Sequence, residues 1–239
     1  LMSVYLLWRL FFTLPIHDGL LNVICGILLL LAEVVTVLTT FELFIQKIQL
    51  NKSSLELPDI REEDYPDIDI FIATHNEEAS LLFKTVNACT FMDYPDKKKV
   101  HIFLCDDGNR SEIAKLADDL GVGYLGLTNN KHAKSGNYNN ALAYTTAPLV
   151  ATFDADMIPQ HTFLMKTVPY FLLPYYEKKS DGTWRLKKPD SVDKDFKIGL
   201  VQTPQSFYNP DLFQFNLYAE NAIPNEQDFF SRDVNILNG

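Results

Sequence analysis

Short apolar runs alternate with helical patterns along the chain from residue 67 onward. The apolar runs predict strands at 67–74, 100–105, 123–127, 149–153 and 198–202. Helical periodicity follows them at 79–90, 111–120, 136–144, 160–171 and 212–222. This order of elements, with β-branched apolar strands, predicts an α/β fold with a mostly parallel sheet and helices on both faces. A segment at 177–197, rich in Lys, Asp and Pro, interrupts the pattern and predicts an exposed hairpin or loop.

The first 45 residues are much more apolar than the rest. The run 20–41 predicts a transmembrane helix, because about 22 helical residues extend roughly 33 Å. A shorter run at 4–14, broken by Arg9, predicts the end of another span, with a turn at 15–19. A cleaved signal peptide and a buried core helix are the alternative interpretations of these runs.

Charged residues near the predicted span indicate its orientation. Glu33 is the one acid inside the run 20–41, and we expect it to face a helix outside this chain. Lys47 and Lys52 come directly after the span, whereas the preceding turn has no Lys or Arg, which predicts that the residues after about 45 lie in the cytosol. The predicted organisation is transmembrane segments at 1–45, a linker or interfacial helix at 46–66, and an α/β domain at 67–239.

Composition narrows the classes of partner. The chain has 239 residues and a formal net charge of −10. Nucleic acid is therefore not an expected partner, because its binding needs a clustered basic face. The three cysteines have neither metal-ligand spacing nor the even number typical of a disulfide framework, which suits a reducing compartment.

Three predicted strands end in polar clusters, at 74–77, 106–108 and 154–156. Ligands of open α/β sheets bind beyond the carboxyl ends of the strands. We therefore expect all three clusters to lie along one edge of the sheet.

Asp154 and Asp156 are the candidate metal ligands. Residues two apart in a strand point to the same side, so both carboxylates can face one ligand. Hard oxygen ligands suit Mg²⁺ or Mn²⁺, which also bind diphosphate oxygens and stabilise negative charge on a departing diphosphate. A turn or helix-cap role is the alternative.

The other two clusters supply further polar groups. Either Asp106 or Asp107 is expected to reach a nucleotide or the metal, although an Asp-Asp-Gly sequence is also typical of a turn. Thr74 and Glu77 can hold a ribose or a base edge, and Asn76 is a candidate cap for the following helix.

Lys134 supplies positive charge for an anionic ligand. Gly136, two residues later, permits close backbone approach just before a predicted helix. A solvated basic loop is the alternative interpretation.

Taken together, these clusters resemble the motifs of processive family 2 glycosyltransferases of the cellulose synthase type. An apolar segment, YLLWRLFFTLP (5–15), precedes the predicted span. The matching motifs are ATHNE (73–77), CDDGN (105–109), HAKSGNYNNAL (132–142), FDADMIP (153–159) and QTPQSFYNPD (202–211). HAKSGN together with QTPQSFYNPD is the most specific combination, and the resemblance covers nearly the whole chain.

The resemblance implies a GT-A-type, Rossmann-like domain with a UDP-sugar donor, UDP-glucose being the expected sugar nucleotide. Asp154 and Asp156 would bind the metal and the UDP diphosphate. The remaining implied positions are Asp106 or Asp107 for the nucleotide, Thr74, Asn76 and Glu77 for the uridine side, Lys134 for the uracil and diphosphate, and Phe207, Tyr208 and Asn209 for the donor or acceptor channel.

Two motifs of the resembled family do not occur before Gly239. They are Thr-Glu-Asp, which holds the general base, and the acceptor-end motif Gln-x-x-Arg-Trp. The resemblance therefore implies an incomplete domain whose catalytic base lies beyond Gly239, and we expect no polymerisation by this segment in isolation.

The leading hypothesis is an inverting synthase that moves glucose from UDP-glucose to the 4-hydroxyl of a growing β-glucan such as cellulose. The expected location is the plasma membrane, with several spans, the bilayer as a partner and the transferase domain in the cytosol. Accessory secretion or regulatory subunits are a further expected class of partner. The alternatives are a synthase of mixed-linkage glucan, hyaluronan or capsule, a lipid-linked transferase acting once per acceptor, and a nucleotide sensor without catalysis.

Overall fold

The computed structural model describes residues 2–50, 56–129, 131–192, 197–203, 205–209 and 212–218. The chain divides into two compact units. One comprises residues 1–56 with 200–239, and the other comprises residues 57–199.

The first unit contains two long apolar helices. Helix α1 spans Met2–Phe12 and α2 spans Leu20–Leu50. Within the described residues, one segment, Leu20–Glu42, is long and apolar enough to cross a membrane, and none of its apolar window is buried. Helix α2 therefore includes the predicted span and continues into the segment predicted as a linker or interfacial helix.

Glu33 of α2 contacts α1. Its carboxylate lies 3.1 Å from Arg9 Nε and accepts a 3.1 Å hydrogen bond from the Tyr5 hydroxyl. Arg9 also donates from Nη1 to the Thr13 hydroxyl at 2.9 Å. The prediction that Glu33 faces a helix outside this chain is wrong, because the arginine that interrupts the first apolar run pairs with this acid.

The second unit is built on a four-stranded parallel sheet. Its strands are β1 (Ile68–Thr74), β2 (Val100–Asp106), β3 (Gly123–Gly126) and β4 (Leu149–Asp154). Its helices are α3 (Ala79–Thr90), α4 (Ser111–Leu120), α5 (Ala133–Leu142) and α6 (Phe163–Leu172). Short 3₁₀ turns occur at Glu62–Asp64, Lys97–Lys99, Leu173–Tyr175 and Pro189–Ser191. The strand order is β3-β2-β1-β4, with every neighbouring pair parallel, as the strand–helix alternation predicts.

Both faces of the sheet are covered by helices. Ile68, Ile70 and Ile72 of β1 belong to a core cluster on one face. The helical members of that cluster come from α3, α4 and α6 and include Leu82, Val86, Ile113, Ala117, Leu164 and Val168. Phe71 points the other way and packs with Cys105 and with Ala141 of α5. The alternation along β1 thus gives the strand two buried faces, which explains its nearly continuous apolar sequence.

The segment after α6 forms the predicted hairpin. Strand β5 (Tyr176–Lys178) pairs antiparallel with β6 (Trp184–Leu186). The rest of the predicted 177–197 segment includes residues 193–196, which lie outside the described residues.

Three boundaries differ from the predictions by three residues or more. Helix α5 begins at Ala133, three residues earlier than predicted, and α6 begins at Phe163, three residues later. A last helix, α7, spans Leu212–Asn216 and ends before the predicted limit of 222, because residues 217 and 218 form a turn; residues 219–222 lie outside the described residues.

The prediction of a strand at 198–202 is wrong, because these residues have no regular structure. An apolar run becomes a strand only when a neighbouring strand satisfies its backbone groups, and no described strand pairs with this one.

Candidate functional site

The carboxyl ends of β1, β2 and β4 lie side by side at one edge of the sheet. In the strand register, Thr74 is the partner of Asp106, and Ala73 is the partner of Asp154. The chain proceeds from β1 to β2 and β3 in one direction and places β4 on the other side of β1. The edge between β1 and β4 is therefore the topological switch point, where α/β sheets bind ligands.

The loop between β1 and α3 is held by its own polar groups. The Thr74 hydroxyl donates to Glu77 Oε2 at 2.8 Å, and the His75 backbone N–H donates to the same oxygen at 2.7 Å. Thr74 is only 3% exposed, so its hydroxyl is committed inside the loop. Asn76 is exposed and does not cap α3, whose N-cap residue is Glu78 without a side-chain cap bond.

The Glu77 carboxylate is stabilised in its charged form. Burial raises the pKa of Glu77, but the hydrogen bonds from the His75 backbone and the Thr74 hydroxyl outweigh this effect. The net pKa of Glu77 lies below its ordinary value, so the group is a carboxylate at neutral pH.

Asp106 is fully buried at the end of β2. Its carboxylate accepts hydrogen bonds from Arg110 Nε at 3.1 Å, from the Gly108 N–H at 3.2 Å and from the Tyr124 hydroxyl at 3.0 Å. Burial and the neighbouring Asp106 carboxylate raise the pKa of Tyr124 to about 12, which keeps this hydroxyl a donor. A direct contact between Asp106 and a ligand would require these bonds to break.

Asp107 is placed differently from Asp106. Its carboxylate lies 2.5 Å from His75 Nδ1, and its side chain keeps 11% exposure. The sequence left open which of the two aspartates reaches the nucleotide, and the burial of Asp106 favours Asp107.

The backbone that carries Asp154 and Asp156 is anchored from α3. The buried Thr85 hydroxyl donates to the Ala155 carbonyl at 2.7 Å, and the Met157 N–H donates to the Asp154 carbonyl at 3.2 Å. Ala155 is buried, whereas the Asp154 side chain is 41% exposed and Asp156 is exposed. Both carboxylates therefore remain accessible while the residue between them fixes the turn.

These two carboxylates suit a hard divalent cation. Mg²⁺ binds through one or two carboxylates and completes its shell with water and phosphate oxygens. Within the part of the chain that the structure describes, no three His, Cys, Asp or Glu side chains gather into a metal site. The pair thus fits a metal that also takes ligands from a diphosphate, and the assignment of both residues as metal ligands stays a prediction.

Lys134, in the first turn of α5, reaches the same place. Its ammonium group forms an ion pair with Asp154 and lies 5.8 Å from the centre of the Tyr138 ring. The ammonium is half exposed. The helix N-terminus contributes further N–H donors, so an anion beside Asp154 would meet both positive groups.

Asn137, on the buried side of α5, joins this helix to the sheet. Its Nδ2 donates to the Cys105 carbonyl at 2.5 Å. Its Oδ1 is the one buried side-chain polar atom without a hydrogen-bond partner among the described residues.

Phe207, Tyr208 and Asn209 lie in a described segment without regular structure, and the Tyr208 side chain is 95% exposed. Their predicted place in a donor or acceptor channel stays a prediction.

Sequence reasoning missed Arg110 and Thr85, whose hydrogen bonds hold the loops that carry the site residues. Arg110 follows the Asp-Asp-Gly turn at four residues from Asp106, a spacing that suggests a local acid–base pair. No sequence pattern identifies Thr85, because its partner is 70 residues away.

Residues 69–185 match the family described as Glycosyl transferase family 2. The chain is 36% identical over 227 residues to cellulose synthase 1 of Komagataeibacter xylinus. This alignment covers 95% of this chain and 13% of that protein. It is 37% identical over 169 residues to the UDP-forming cellulose synthase catalytic subunit of Pseudomonas fluorescens, covering 70% of this chain and 20% of that protein.

The chain is also similar to a solved structure, a mannosyltransferase from Pyrobaculum calidifontis in complex with GDP-Man and Mn²⁺. It is 18% identical and has a TM-score of 0.48, covering 57% of this chain and 40% of that one.

The chain spans only a minor part of the curated relatives that it matches. The match to the family nevertheless covers all of the parallel sheet except Ile68, and every aspartate at its carboxyl edge. Together with the identity to cellulose synthases, this match confirms the predicted family, and the parallel sheet with helices on both faces confirms the predicted α/β fold class. Residues 69–185 therefore form a glycosyltransferase family 2 domain, within a chain that is similar to cellulose synthases over most of its length.

Proposed function

We propose that this chain forms the donor-binding part of a membrane-anchored inverting glycosyltransferase that uses UDP-glucose to extend a β-glucan such as cellulose. The observation that carries the proposal is the convergence of Glu77, Asp107 and Asp154 at one sheet edge beside Lys134. The relatives' names supply the substrate class, since several are UDP-forming cellulose synthase catalytic subunits.

In this proposal the nucleotide lies against the ends of β1 and β2. Glu77, a carboxylate at neutral pH, accepts hydrogen bonds from ribose hydroxyls or the base, and Asp107 contacts His75 of the same loop. Asn76 is exposed in the same loop and faces solvent.

The diphosphate lies against the end of β4 and the start of α5. Asp154 and Asp156 hold Mg²⁺ or Mn²⁺, which supplies Lewis-acid stabilisation of charge on the leaving diphosphate. Lys134 adds a second positive charge at that position. No described residue is assigned as the base that deprotonates the acceptor.

Membrane anchoring is the other part of the proposal. Helix α2 has the length and hydropathy of a span, and the Arg9–Glu33 pair leaves neither charge facing lipid alone. We place the transferase domain on the cytosolic side, because of the charge bias after the span.

Membranes that contain the complete protein, rather than residues 1–239 in isolation, test the proposal when they are incubated with radiolabelled UDP-glucose and Mg²⁺ or Mn²⁺. The expected product is an insoluble polymer that an endo-β-1,4-glucanase degrades. Label that instead extracts into organic solvent indicates a lipid-linked single transfer. UDP binding without any transfer indicates a sensor, and either result contradicts the proposed synthase.

A further inference from the structure

Arg110 joins the two loops of the nucleotide side of the site. Its Nη1 donates to the Glu77 carbonyl at 2.7 Å, and its Nη2 donates to the Thr74 hydroxyl at 2.8 Å. Its Nε and Nη2 also donate to Asp106 Oδ1, at 3.1 and 3.0 Å. One guanidinium group thus binds the end of β1, the start of α3 and the end of β2.

We propose that Arg110 is a positioning residue for the donor: it locks the 74–77 loop onto the 106–110 loop and so sets where Glu77 and Asp107 meet the nucleotide. The inference rests on the proposed function, because it assigns the nucleotide to these loops. Arg110 itself does not touch the reacting atoms.

Arg110 acts on Glu77 through a relay of two hydrogen bonds. Arg110 donates to the Thr74 hydroxyl oxygen, so the hydroxyl proton is directed to Glu77 Oε2. Hydrogen bonds in such a chain polarise and strengthen one another. The position and charge of the Glu77 carboxylate therefore depend on a residue that lies 33 positions away in the sequence.

The turn before Arg110 is shaped around its side chain. A Cβ at Gly108 would lie 3.2 Å from both Cγ and Nε of Arg110 and 3.2 Å from the His75 carbonyl oxygen. Asn109 adopts a left-handed φ of 48°, which lets the chain reverse within the turn. The Arg110 backbone N–H then returns to Asp106 Oδ2 at 2.6 Å.

A lysine cannot reproduce this arrangement. Arginine presents its donors in a rigid planar fork, whereas lysine has one ammonium on a flexible stem. Lysine at position 110 keeps the charge beside Asp106 but cannot hold Asp106, Thr74 and the Glu77 carbonyl at once. Arg110→Lys therefore separates charge neutralisation from positioning.

The test compares Arg110→Lys with the double variant Asp106→Asn/Arg110→Gln in the complete protein in detergent. The double variant removes the buried charge of Asp106 together with that of Arg110. It therefore avoids the loss of stability that an unpaired buried Asp106 would cause. Arg185→Gln is the matched control, because Arg185 lies on the exposed β5–β6 hairpin in an ion pair with Glu177. The measurements are Tm, the Kd of UDP with Mn²⁺, and KM and kcat for UDP-glucose.

We expect Arg110→Lys to raise the Kd of UDP and the KM by about tenfold or more while kcat changes by less than about twofold, the pattern of lost nucleotide binding. The double variant should regain the wild-type Tm without regaining the affinity. Arg185→Gln should match the wild type in all measurements.

Two results overturn the inference while leaving the proposed function intact. The first is wild-type UDP affinity in Arg110→Lys. The second is a double variant whose UDP affinity returns together with its Tm, since Arg110 would then act only through stability. A wild-type protein that binds no UDP with either metal overturns the proposed function and this inference with it.

Discussion

At the carboxyl ends of β1 and β2 the last polar side chain of each strand is buried and hydrogen-bonded, whereas at the carboxyl end of β4 the polar side chains are exposed to solvent. Thr74 and Asp106 are at most 3% exposed, and Arg110 fills the space between them. Asp154 and Lys134 are both about half exposed and pair with each other.

The difference separates two ways of preparing a binding site. The proposed nucleotide side, at the ends of β1 and β2, is held by internal hydrogen bonds, so it would need little rearrangement when a ligand binds. The metal side has a fixed backbone, anchored by Thr85, but its charges are only loosely paired. Under the proposed function its final geometry would depend on the cation and the diphosphate, which would supply the missing charge.

The strongest test of this contrast is removal of Asp106. Asp106→Ala leaves Arg110 without its buried acid, and breaking such a pair costs about 3–5 kcal/mol of folding free energy. For a domain of this size we expect Tm to fall by about 10 °C, measured by scanning fluorimetry. Glu177→Ala, which breaks the exposed pair with Arg185, is the control and should change Tm little. An unchanged Tm in Asp106→Ala would show that the buried network does not stabilise the fold.

Substitution of Asp154 or Asp156 should have the opposite effect: it should reduce metal-dependent binding and leave the stability of the fold nearly unchanged. Asp154→Ala and Asp156→Ala should leave the stability within about 0.5 kcal/mol, because both side chains are exposed. Metal-dependent UDP affinity should fall by at least about 10–100-fold, the loss caused even by outer partners of a metal site. Titration calorimetry with and without Mn²⁺ measures it, and Asp119→Ala on the exposed face of α4 is the control. Unaltered metal-dependent binding in both variants would exclude these residues as metal ligands.

A smaller effect is expected at Lys134. In Lys134→Gln, Asp154 loses the ammonium that competes with a cation, so Mn²⁺ alone should bind about two- to fivefold more tightly. Binding of UDP with the metal should weaken, because the phosphate loses a positive partner. Lys166→Gln, on the exposed side of α6, controls for the change in net charge. Equal Mn²⁺ affinity in wild type and Lys134→Gln would show that the ion pair does not compete with the metal.

The smallest effect is the pH dependence contributed by Glu77. Its pKa in the folded protein lies below the ordinary value of 4.5, so its stabilisation is complete above that value and is lost as pH falls through the folded pKa. The Tm difference between wild type and Glu77→Gln should therefore be largest near neutral pH and shrink in acid. Thermal unfolding between about pH 7 and pH 3 measures it. A difference that grows in acid would reverse the assigned direction of the pKa shift.

Local pattern was sufficient for most of the fold. The strands β1, β2 and β4 lie within one residue of their predicted limits, because each is an apolar run that buries at least one face in the core. The 198–202 segment has a similar composition but no regular structure. Composition gives a segment the propensity to form a strand, but the strand forms only when a partner strand pairs with it.

The site was predictable in place but not in detail. Strand ends at one edge follow from parallel topology, so the three polar clusters were expected together. The division of roles between Asp106 and Asp107 was not, since adjacent side chains point in opposite directions and only packing decides which one is inside. Glu33 illustrates the same limit, because its partner Arg9 is 24 residues away.

The sequence by itself determined the parallel α/β domain, the apolar helix that precedes it and the aspartates at the carboxyl edge of the sheet, since periodicity and strand-end chemistry are local properties. Only the tertiary structure decided which polar groups are already paired. Arg110 and Thr85 reach partners at long sequence separation, and such contacts exist only after the strands and helices have packed.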